Sequence, residues 1–419
     1  MHDLIPSPRL NAVRYDIRGP LVQRARALEA AGHTLYSLNI GNPARFGLRT
    51  PPHLVAAVNA HLADSEGYGH ELGLDDARAA IFAQQRARGT RIADSSYVLI
   101  GNGVSELIDL TLRALLAPGD EVLLPCPDYP LWTASTVLNG GRPVYYACPA
   151  AQGHLPDPDA LAAQITPRTR ALVLINPNNP TGAVYPRELL VRLVELAARH
   201  RLLLLSDEIY DGILYDDARF EPLAPLAGDL PCVSFAGISK VHRACGYRVG
   251  WMTLSGSPAR VGAYRDALHL LSALRVCANQ PAQWAVRAAL EGPPTIAGLT
   301  APGGRLHAAR QVVIDGVAAS AFLSLVAPAG ALYAFPRVRA DVMPAFDADV
   351  FALDLLERED VLLMPGSAFN LHDGRHLRLT LLPEPADLVE VMRRIERALR
   401  RQSDAAAGIK PAPAATAIA

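Results

Sequence analysis

The chain has 419 residues, a length that predicts one large and one small domain with ample material for hydrophobic cores. Its 40 basic and 41 acidic residues are interspersed and leave a formal net charge of −1, so the composition indicates neither a nucleic-acid-binding face nor a membrane-binding charge cluster. The sequence indicates no signal peptide, no apolar run long enough to span a bilayer and no CxxC pair among its five cysteines, and we therefore expect a cytoplasmic protein without a metal site.

The first part of the chain combines helices with one strand. Apolar residues at helical spacing predict a helix over residues 20–32, and a strand over residues 35–40 follows it. Amphipathic helices are predicted over residues 52–62 and 75–88. We expect residues 1–50 to form an N-terminal segment that joins the smaller domain.

From residue 96 a pattern of strand, loop and helix repeats. Short apolar runs predict buried strands over residues 97–100, 121–124, 171–175, 202–205 and 232–235. Amphipathic helices over residues 106–116 and 187–199 lie between them. Continuous apolar strands that alternate with amphipathic helices are typical of a mostly parallel sheet sandwiched by helices. We therefore predict an α/β fold for a large domain over residues 51–300.

The last third of the chain has a different pattern. A helical region over residues 257–292 is followed by a Pro-Gly-Gly break and then by a mixture of helices and strands. We predict an antiparallel pair of strands over residues 322–326 and 330–335, followed by a helix over residues 348–358. A strand over residues 376–382 and a final helix over residues 385–401 complete the prediction. This pattern indicates a smaller α+β domain over residues 301–402. Residues 403–419 are rich in Ala and Pro and are predicted to form a flexible tail.

One lysine stands out from the composition. Only two of the 40 basic residues are lysines, Lys240 and Lys410, and Lys410 falls in the predicted tail. Arginine cannot replace a lysine that must act as a neutral amine, because the guanidinium stays protonated whereas a desolvated amine can lose its proton and attack a carbonyl. Biased codon usage that removed other lysines would leave the same pattern by chance. The residues around the predicted strand ends distinguish these alternatives.

Four segments carry residues that a connecting loop does not need. Residues 101–105 (GNGVS) form a glycine-rich turn into a helix, which suits a phosphate but also occurs in ordinary turns. Residues 176–182 (NPNNPTG) and 206–210 (SDEIY) follow two further strands, and Arg248 lies eight residues after Lys240. Ligands of such sheets bind at the carboxyl ends of the strands, where these segments meet.

Together these segments predict a site for pyridoxal 5′-phosphate. The aldehyde would be on Lys240, the ring nitrogen on Asp207, and the ring oxygen between Asn179 and Tyr210. The phosphate would lie among four further residues, Gly103, Val104, Ser239 and Arg248. A buried carboxylate favours the protonated ring nitrogen, and the protonated ring stabilises a carbanion at the substrate Cα. Lys240 would be the base that moves the proton.

The sequence resembles the class I aminotransferases of the fold-type I pyridoxal-phosphate family over about residues 10–400, most closely the bacterial alanine (glutamate–pyruvate) aminotransferases. The stretches that carry the resemblance are YDIRGP (15–20), LNIGNP (38–43), GNGVSEL (101–107), PDYPLW (127–132), INPNNPTGAVY (175–185), DEIYD (207–211), SK (239–240), GYRVGWM (246–252), AN (278–279) and GALYAF (330–335). The resemblance implies a seven-stranded, mostly parallel sheet in the large domain. It also implies an enzyme that exchanges an amino group between an L-amino acid and a 2-oxo acid.

The resemblance adds roles that the residues alone do not establish. Tyr129 would stack on the cofactor ring, where an ordinary buried aromatic would give the same sequence. Arg378 would bind the substrate α-carboxylate, although a solvent-facing strand arginine would give the same pattern. Gly41 and Tyr15 would complete the substrate site with Asn179. Tyr68 would reach the phosphate of a neighbouring subunit, which implies a homodimer.

Two departures from the family pattern leave the substrate and reaction type open. Residues 69–72 (GHEL) and 241–243 (VHR) replace the family's usual stretches beside the site. If His70 and His242 face the substrate, we expect a bulkier or polar amino acid to be preferred over alanine; as surface residues they would have no such effect. The alternative functions are elimination, replacement or carbon–carbon bond formation with the same cofactor, and a ligand-sensing regulator, although no DNA-binding segment is visible.

Overall fold

The computed structural model describes residues 4–406 of the chain, apart from the side chain of Arg18. Its α-helices are α1 (Pro20–Ala30), α2 (Pro52–Ala60), α3 (Asp75–Ala87), α4 (Val104–Leu115), α5 (Leu131–Leu138), α6 (Pro158–Ala162), α7 (Arg187–His200), α8 (Leu223–Ala227), α9 (Pro258–Leu274), α10 (Ala285–Glu291), α11 (Ala297–Thr300), α12 (Arg305–Ala318), α13 (Ala348–Glu359) and α14 (Pro385–Ala406). None of these helices is both long and apolar enough to cross a membrane.

The strands form one large sheet and several small ones. They are β1 (Tyr36–Ser37), β2 (Val98–Gly101), β3 (Glu121–Cys126), β4 (Arg142–Ala147), β5 (Thr169–Ile175), β6 (Leu203–Asp207), β7 (Cys232–Gly237), β8 (Gly250–Ser255), β9 (Leu323–Ser324), β10 (Tyr333–Ala334), β11 (Arg337–Val338), β12 (Val361–Leu362), β13 (Met364–Pro365) and β14 (Leu377–Thr380). The large sheet has seven strands in the order β2-β8-β7-β6-β5-β3-β4, and β8 alone runs antiparallel to its neighbours.

The large sheet is the α/β architecture that the sequence predicts. The strands β6 and β7 are completely buried and β5 is buried apart from Arg170, because helices cover both faces of the sheet. Two hydrophobic cores lie on either side of it, one containing Leu107 and Trp251 and the other containing Leu172 and Leu193. The predicted helix over residues 187–199 is α7, whose apolar face packs in the second of these cores.

A further core joins the end of the chain to its beginning. It is formed by α12, α13, α14 and the small sheets, and it also contains Leu38 and Leu48. The N-terminal segment is held there by pairing of β1 with β12, in which Tyr36 lies opposite Val361. This arrangement places the N-terminal segment beside the carboxyl ends of the large sheet.

Several sequence predictions of individual elements are wrong. The region over residues 257–292 is not one helix: α9 ends at Leu274, Val276 has a positive φ of 73°, and α10 begins only at Ala285. The strands predicted to pair with each other do not, because β10 pairs with β14 and β9 pairs with β11. The strands β4 and β8 were not predicted.

The predicted tail begins too early. The last helix, α14, continues through residues 403–406 instead of ending near residue 401. The rest of the predicted tail, residues 407–419, and with it Lys410, lies outside the described residues.

Candidate active site

A cavity of about 510 Å³ lies at the carboxyl ends of the central strands. Its lining comes from the large sheet, the N-terminal segment and the core of the last third of the chain. It includes eleven predicted site residues, Tyr15, Gly41, Val104, Tyr129, Asn179, Asp207, Tyr210, Ser239, Lys240, Arg248 and Arg378. The charged residues in this lining are three cations and one carboxylate, a balance that favours an anionic ligand.

Lys240 lies in a tight turn after β7. The turn is closed by a hydrogen bond from the Ala244 amide to the Ile238 carbonyl. The Lys240 Nζ donates to the carbonyl oxygen of Gly41 at 2.7 Å and lies 3.9 Å from the Cys245 Sγ. The N-terminal segment therefore contacts the Lys240 amine directly.

Asp207 ends β6 and is almost completely buried. Its carboxylate accepts hydrogen bonds from the Trp132 indole at 3.3 Å and from the Ile209 amide at 3.4 Å. Burial raises the pKa of Asp207 to about 6, and the two hydrogen bonds and the charge of Lys240 offset part of that rise. A carboxylate that is ionised above this pH in a buried site stabilises a cation placed against it.

A glycine-rich turn precedes α4. Gly103 has a positive φ of 84°, and a Cβ added there would overlap the guanidinium of Arg248. Arg248 itself has a left-handed backbone and donates to the carbonyl oxygens of Cys245 at 3.0 Å and Asn102 at 3.1 Å. The amino end of a twelve-residue helix and a guanidinium are thus brought together, which is the arrangement that binds a phosphate.

Arg378 lies on β14 and is only 2% exposed, so it is not the solvent-facing arginine that its strand pattern also allowed. Its guanidinium donates to the side chain of Asn179 at 3.3 Å and to the main-chain carbonyl of Asn39, and its Nε has no hydrogen-bond partner. Across residues 4–406, no carboxylate lies within ion-pair distance of this guanidinium. Burial lowers the pKa of Arg378 below its ordinary value. A buried cation without a counter-ion favours a ligand carboxylate.

Four tyrosines place their hydroxyl groups around the cavity. The hydroxyls of Tyr15 and Tyr129 are 3.1 Å apart, and those of Tyr210 and Tyr333 are 3.0 Å apart. Burial raises the pKa of both Tyr129 and Tyr210 well above the ordinary value of 10, so both remain protonated hydrogen-bond donors at neutral pH.

Two predicted residues do not line the cavity. Gly103 lies next to the guanidinium of Arg248, which does line the cavity. Tyr68 is 88% exposed and is not part of the cavity in this subunit. Its predicted position in a neighbouring subunit is compatible with this exposure.

The two histidines expected to influence substrate choice do not line the cavity either. The His70 Nδ1 accepts from the nearby Leu72 amide at 3.1 Å. His242 lines a different cavity of about 230 Å³, where burial lowers its pKa to about 4. Within one subunit, the physical basis for expecting a bulky or polar substrate is therefore wrong.

Other lining residues have no predicted role. They are Ile17, Asn39, Ile40, Asn42, Ser105, Ile108, Ile175, Ile209, Cys245, Gly246 and Tyr333. Tyr333 gave the clearest signal, since it lies in the GALYAF stretch that matches the family, but its apolar neighbours made it look like a core residue. Cys245 follows Lys240 by five residues, a spacing that carries no information without the turn.

Comparisons with known proteins agree with this geometry. Residues 34–395 match the family described as aminotransferase class I and II. The chain is 47% identical over 390 residues to an alanine aminotransferase of Mycobacterium tuberculosis, covering 93% of this chain and 91% of that one. It is 45% identical over 388 residues to the glutamate-pyruvate aminotransferase AlaA of Escherichia coli, covering 93% and 96%.

Solved structures show the same likeness. A crystal structure of an aminotransferase from Escherichia coli has a TM-score of 0.93 and 44% identity, covering 95% of this chain and 99% of that one. An alanine aminotransferase from Pyrococcus furiosus has a TM-score of 0.89 and 33% identity, covering 95% and 100%.

Proposed function

This chain belongs to the class I and II aminotransferases and exchanges an amino group between an amino acid and a 2-oxo acid, and we propose that it does so with pyridoxal 5′-phosphate held on Lys240. The observation that carries the cofactor proposal is the set of groups that line one cavity. Lys240, the buried Asp207, Arg248 and Arg378 all line it, Arg248 lies against the Gly103 turn before α4, and no carboxylate of residues 4–406 pairs with Arg378. The predicted transfer of an amino group is confirmed. It describes the function without the alternatives of elimination and ligand sensing.

The residues present fit this cofactor. Val104, Ser239 and Arg248 would hold its phosphate, with Gly103 leaving the space that a side chain would fill. Asp207 would pair with the protonated ring nitrogen, while Asn179 and Tyr210 would donate to the ring oxygen, and Tyr129 would lie against the ring. When bound, the cofactor supplies the electron sink that makes proton removal from the substrate Cα possible.

The protein's own groups then bind and orient the substrate. Arg378 and Asn179 would hold the α-carboxylate, because a buried guanidinium with free donors binds carboxylate in a fixed orientation. Tyr15 and Gly41 would close the substrate side. The Lys240 Nζ, held by the Gly41 carbonyl at 2.7 Å, would carry the proton to and from the substrate Cα.

We further propose that alanine and glutamate are the amino donors, with pyruvate and 2-oxoglutarate as acceptors. The names of the M. tuberculosis and E. coli relatives support this choice. Within one subunit, neither His70 nor His242 lines the cavity, so neither supports another donor there.

A homodimer with shared active sites is also proposed. The exposed Tyr68 would serve the cofactor of the neighbouring subunit. Leu270 and Leu274 are exposed apolar side chains near the end of α9. The next residue after Leu274, Arg275, bonds to Glu106 in the first turn of α4, the helix that begins at the proposed phosphate site. A second copy covering this surface would bury these side chains and bring its own Tyr68 nearby.

We propose the domain division that the sequence predicts, with residues 1–50 joining residues 301–402 in the smaller domain and residues 51–300 forming the larger one. Pairing of β1 with β12 supports this grouping. The cytoplasm is proposed as the location, because all five cysteines are unpaired, which suits a reducing compartment.

A half-reaction assay tests the function. Purified enzyme is mixed with one amino acid and no oxo acid, and the visible absorption of the bound cofactor is followed. Alanine and glutamate are expected to convert the cofactor stoichiometrically and to release pyruvate and 2-oxoglutarate, whereas Lys240→Ala gives neither change. Continuous turnover of an amino acid without any acceptor would indicate elimination and contradict the proposal.

A further inference from the structure

Tyr333 contacts three parts of the site that have separate tasks. Its ring centroid lies 4.4 Å from the guanidinium carbon of Arg378, and its hydroxyl lies 3.0 Å from that of Tyr210. The same hydroxyl fills the space beside Gly41, where an added Cβ would overlap it. Tyr333 is itself only 3% exposed and lines the cavity.

The main chain fixes these contacts. Tyr333 lies on β10, which pairs with β14 so that Tyr333 is opposite Thr380 and Ala334 is opposite Leu379. Tyr333 and Arg378 therefore lie on neighbouring strands that are hydrogen-bonded to each other. The ring and the guanidinium are therefore held together by the sheet as well as by their own attraction.

The aromatic contacts orient a guanidinium that has no counter-ion. Phe369 provides a second ring 4.5 Å from the guanidinium carbon, but it does not line the cavity. Cation–π contacts use the face of a guanidinium, whereas hydrogen bonds use its N–H edge. The two rings therefore do not compete with a carboxylate for that edge.

The hydroxyl of Tyr333 extends the hydrogen bonding of Tyr210. If Tyr333 donates to Tyr210, the Tyr210 hydroxyl becomes a stronger donor toward the ring oxygen of a bound cofactor, because hydrogen bonds in a chain polarise one another. Phe369 has no such group.

We propose that Tyr333 is a positioning residue that couples the carboxylate-binding Arg378 to the cofactor-binding Tyr210. This inference rests on the proposed function, because it requires pyridoxal phosphate beside Tyr210. Its ring sets the orientation of the guanidinium, and its hydroxyl strengthens the donor that faces the cofactor. Neither task makes Tyr333 a catalytic residue.

The hydroxyl is tested with Tyr333→Phe in the holoenzyme. The readout is the pH midpoint at which the visible absorption band of the cofactor changes. Loss of the polarising donor is expected to raise this midpoint by about 0.1–0.7 pH units. The other charged groups that line the cavity, Asp207, Lys240, Arg248 and Arg378, are identical in both proteins, so the shift reports the hydroxyl.

The ring is tested with Tyr333→Leu and steady-state kinetics. Loss of the cation–π contact is expected to raise KM about 3- to 30-fold for every amino donor, with a smaller change in kcat. Tyr333→Phe keeps the ring and is expected to leave KM within about twofold of the wild type.

Tyr215 supplies a matched control. It is 1% exposed, its ring centroid lies 5.2 Å from the guanidinium carbon of Arg310, and its hydroxyl donates to the Ala331 carbonyl at 3.0 Å, yet it does not line the cavity. Tyr215→Phe is expected to change neither the midpoint nor KM.

The outcomes separate this inference from the proposed function. A wild-type protein that binds no cofactor with visible absorption contradicts the proposed function itself. A wild type with a normal band and a Tyr333→Phe midpoint equal to that of Tyr215→Phe overturns the coupling. If Tyr333→Leu does not fold, the Tyr333→Phe midpoint still decides the proposal.

Discussion

The substitution Asp207→Asn is expected to make the cofactor-free protein more stable while it removes activity. Asp207 is 3% exposed, and its carboxylate receives only two hydrogen bonds, from Trp132 and Ile209. The two donors contact different carboxylate oxygens, Oδ2 and Oδ1, so the single oxygen of an asparagine can accept from only one of them and the variant loses one hydrogen bond. The larger change is the loss of a buried negative charge that has no adjacent cation other than Lys240 to stabilise it.

The size and sign of the expected change in stability follow from the pKa of the Asp207 carboxyl group. Burial raises the pKa of Asp207 from 3.8 to about 6. The native state therefore binds this proton more tightly than the unfolded state, and the stability linked to the proton is lost as pH rises from about 4 to about 6. A shift of ~2 pH units corresponds to about 3 kcal/mol at pH 8. The lost hydrogen bond offsets about 1 kcal/mol of this free energy, and for a chain of this length the remainder corresponds to a rise in Tm of about 2 °C in the variant.

Thermal unfolding of the two cofactor-free proteins at pH 8 and pH 4 provides the measurement. The variant should have the higher Tm at pH 8. This advantage should disappear at pH 4, where the native wild-type carboxyl group is protonated and the unfolded one, with a pKa of 3.8, is only partly ionised. Added cofactor should reverse the order at pH 8, because only the carboxylate pairs with the protonated ring. A cofactor-free variant that is less stable than wild type at pH 8 would refute the reasoning.

Three further predictions address other parts of the site. Arg378→Lys is expected to lower kcat/KM about 10- to 150-fold, from the loss of about 1.5–3 kcal/mol in one charged hydrogen bond; unchanged kinetics for every donor would mean that another residue binds the carboxylate. Gly41→Ala is expected to lower kcat/KM at least about tenfold because its Cβ would overlap the Tyr333 hydroxyl, whereas the control Gly298→Ala, where nothing lies within 4 Å, should keep wild-type activity. Burial raises the pKa of Asp128 to about 7, so Asp128→Asn should raise the Tm at pH 8 and not at pH 4, and an equal effect at both pH values would exclude titration as the cause.

The sequence identified half of the residues that line the cavity, partly because strand ends are readable without tertiary information. Asp207 follows four leucines, and Asn179 and Lys240 follow other apolar runs, so a parallel sheet brings them to one edge. The role of Arg378 needed the resemblance, because a strand arginine that faces a cavity and one that faces solvent follow the same alternation.

Other features depend on long-range pairing and could not be predicted. Tyr333 enters the site because β10 pairs with β14, and the short strands 322–326 and 330–335 looked equally able to pair with each other. The histidines at 70 and 242 are close in sequence to site residues, yet the turns that follow Tyr68 and Lys240 direct them elsewhere. Proximity along the chain does not fix the direction of a side chain in a turn.

Covalent trapping of the cofactor tests the central claim most directly. Borohydride reduction of the holoenzyme, followed by proteolysis and mass spectrometry, identifies the amine that carries pyridoxal phosphate. The chain has only two lysines, and the expected result is the cofactor mass on the peptide that contains Lys240. The Lys410→Ala variant should trap the cofactor as the wild type does, and the Lys240→Ala variant should trap none. Label on Lys410, or full activity with no label on either lysine, would contradict the account.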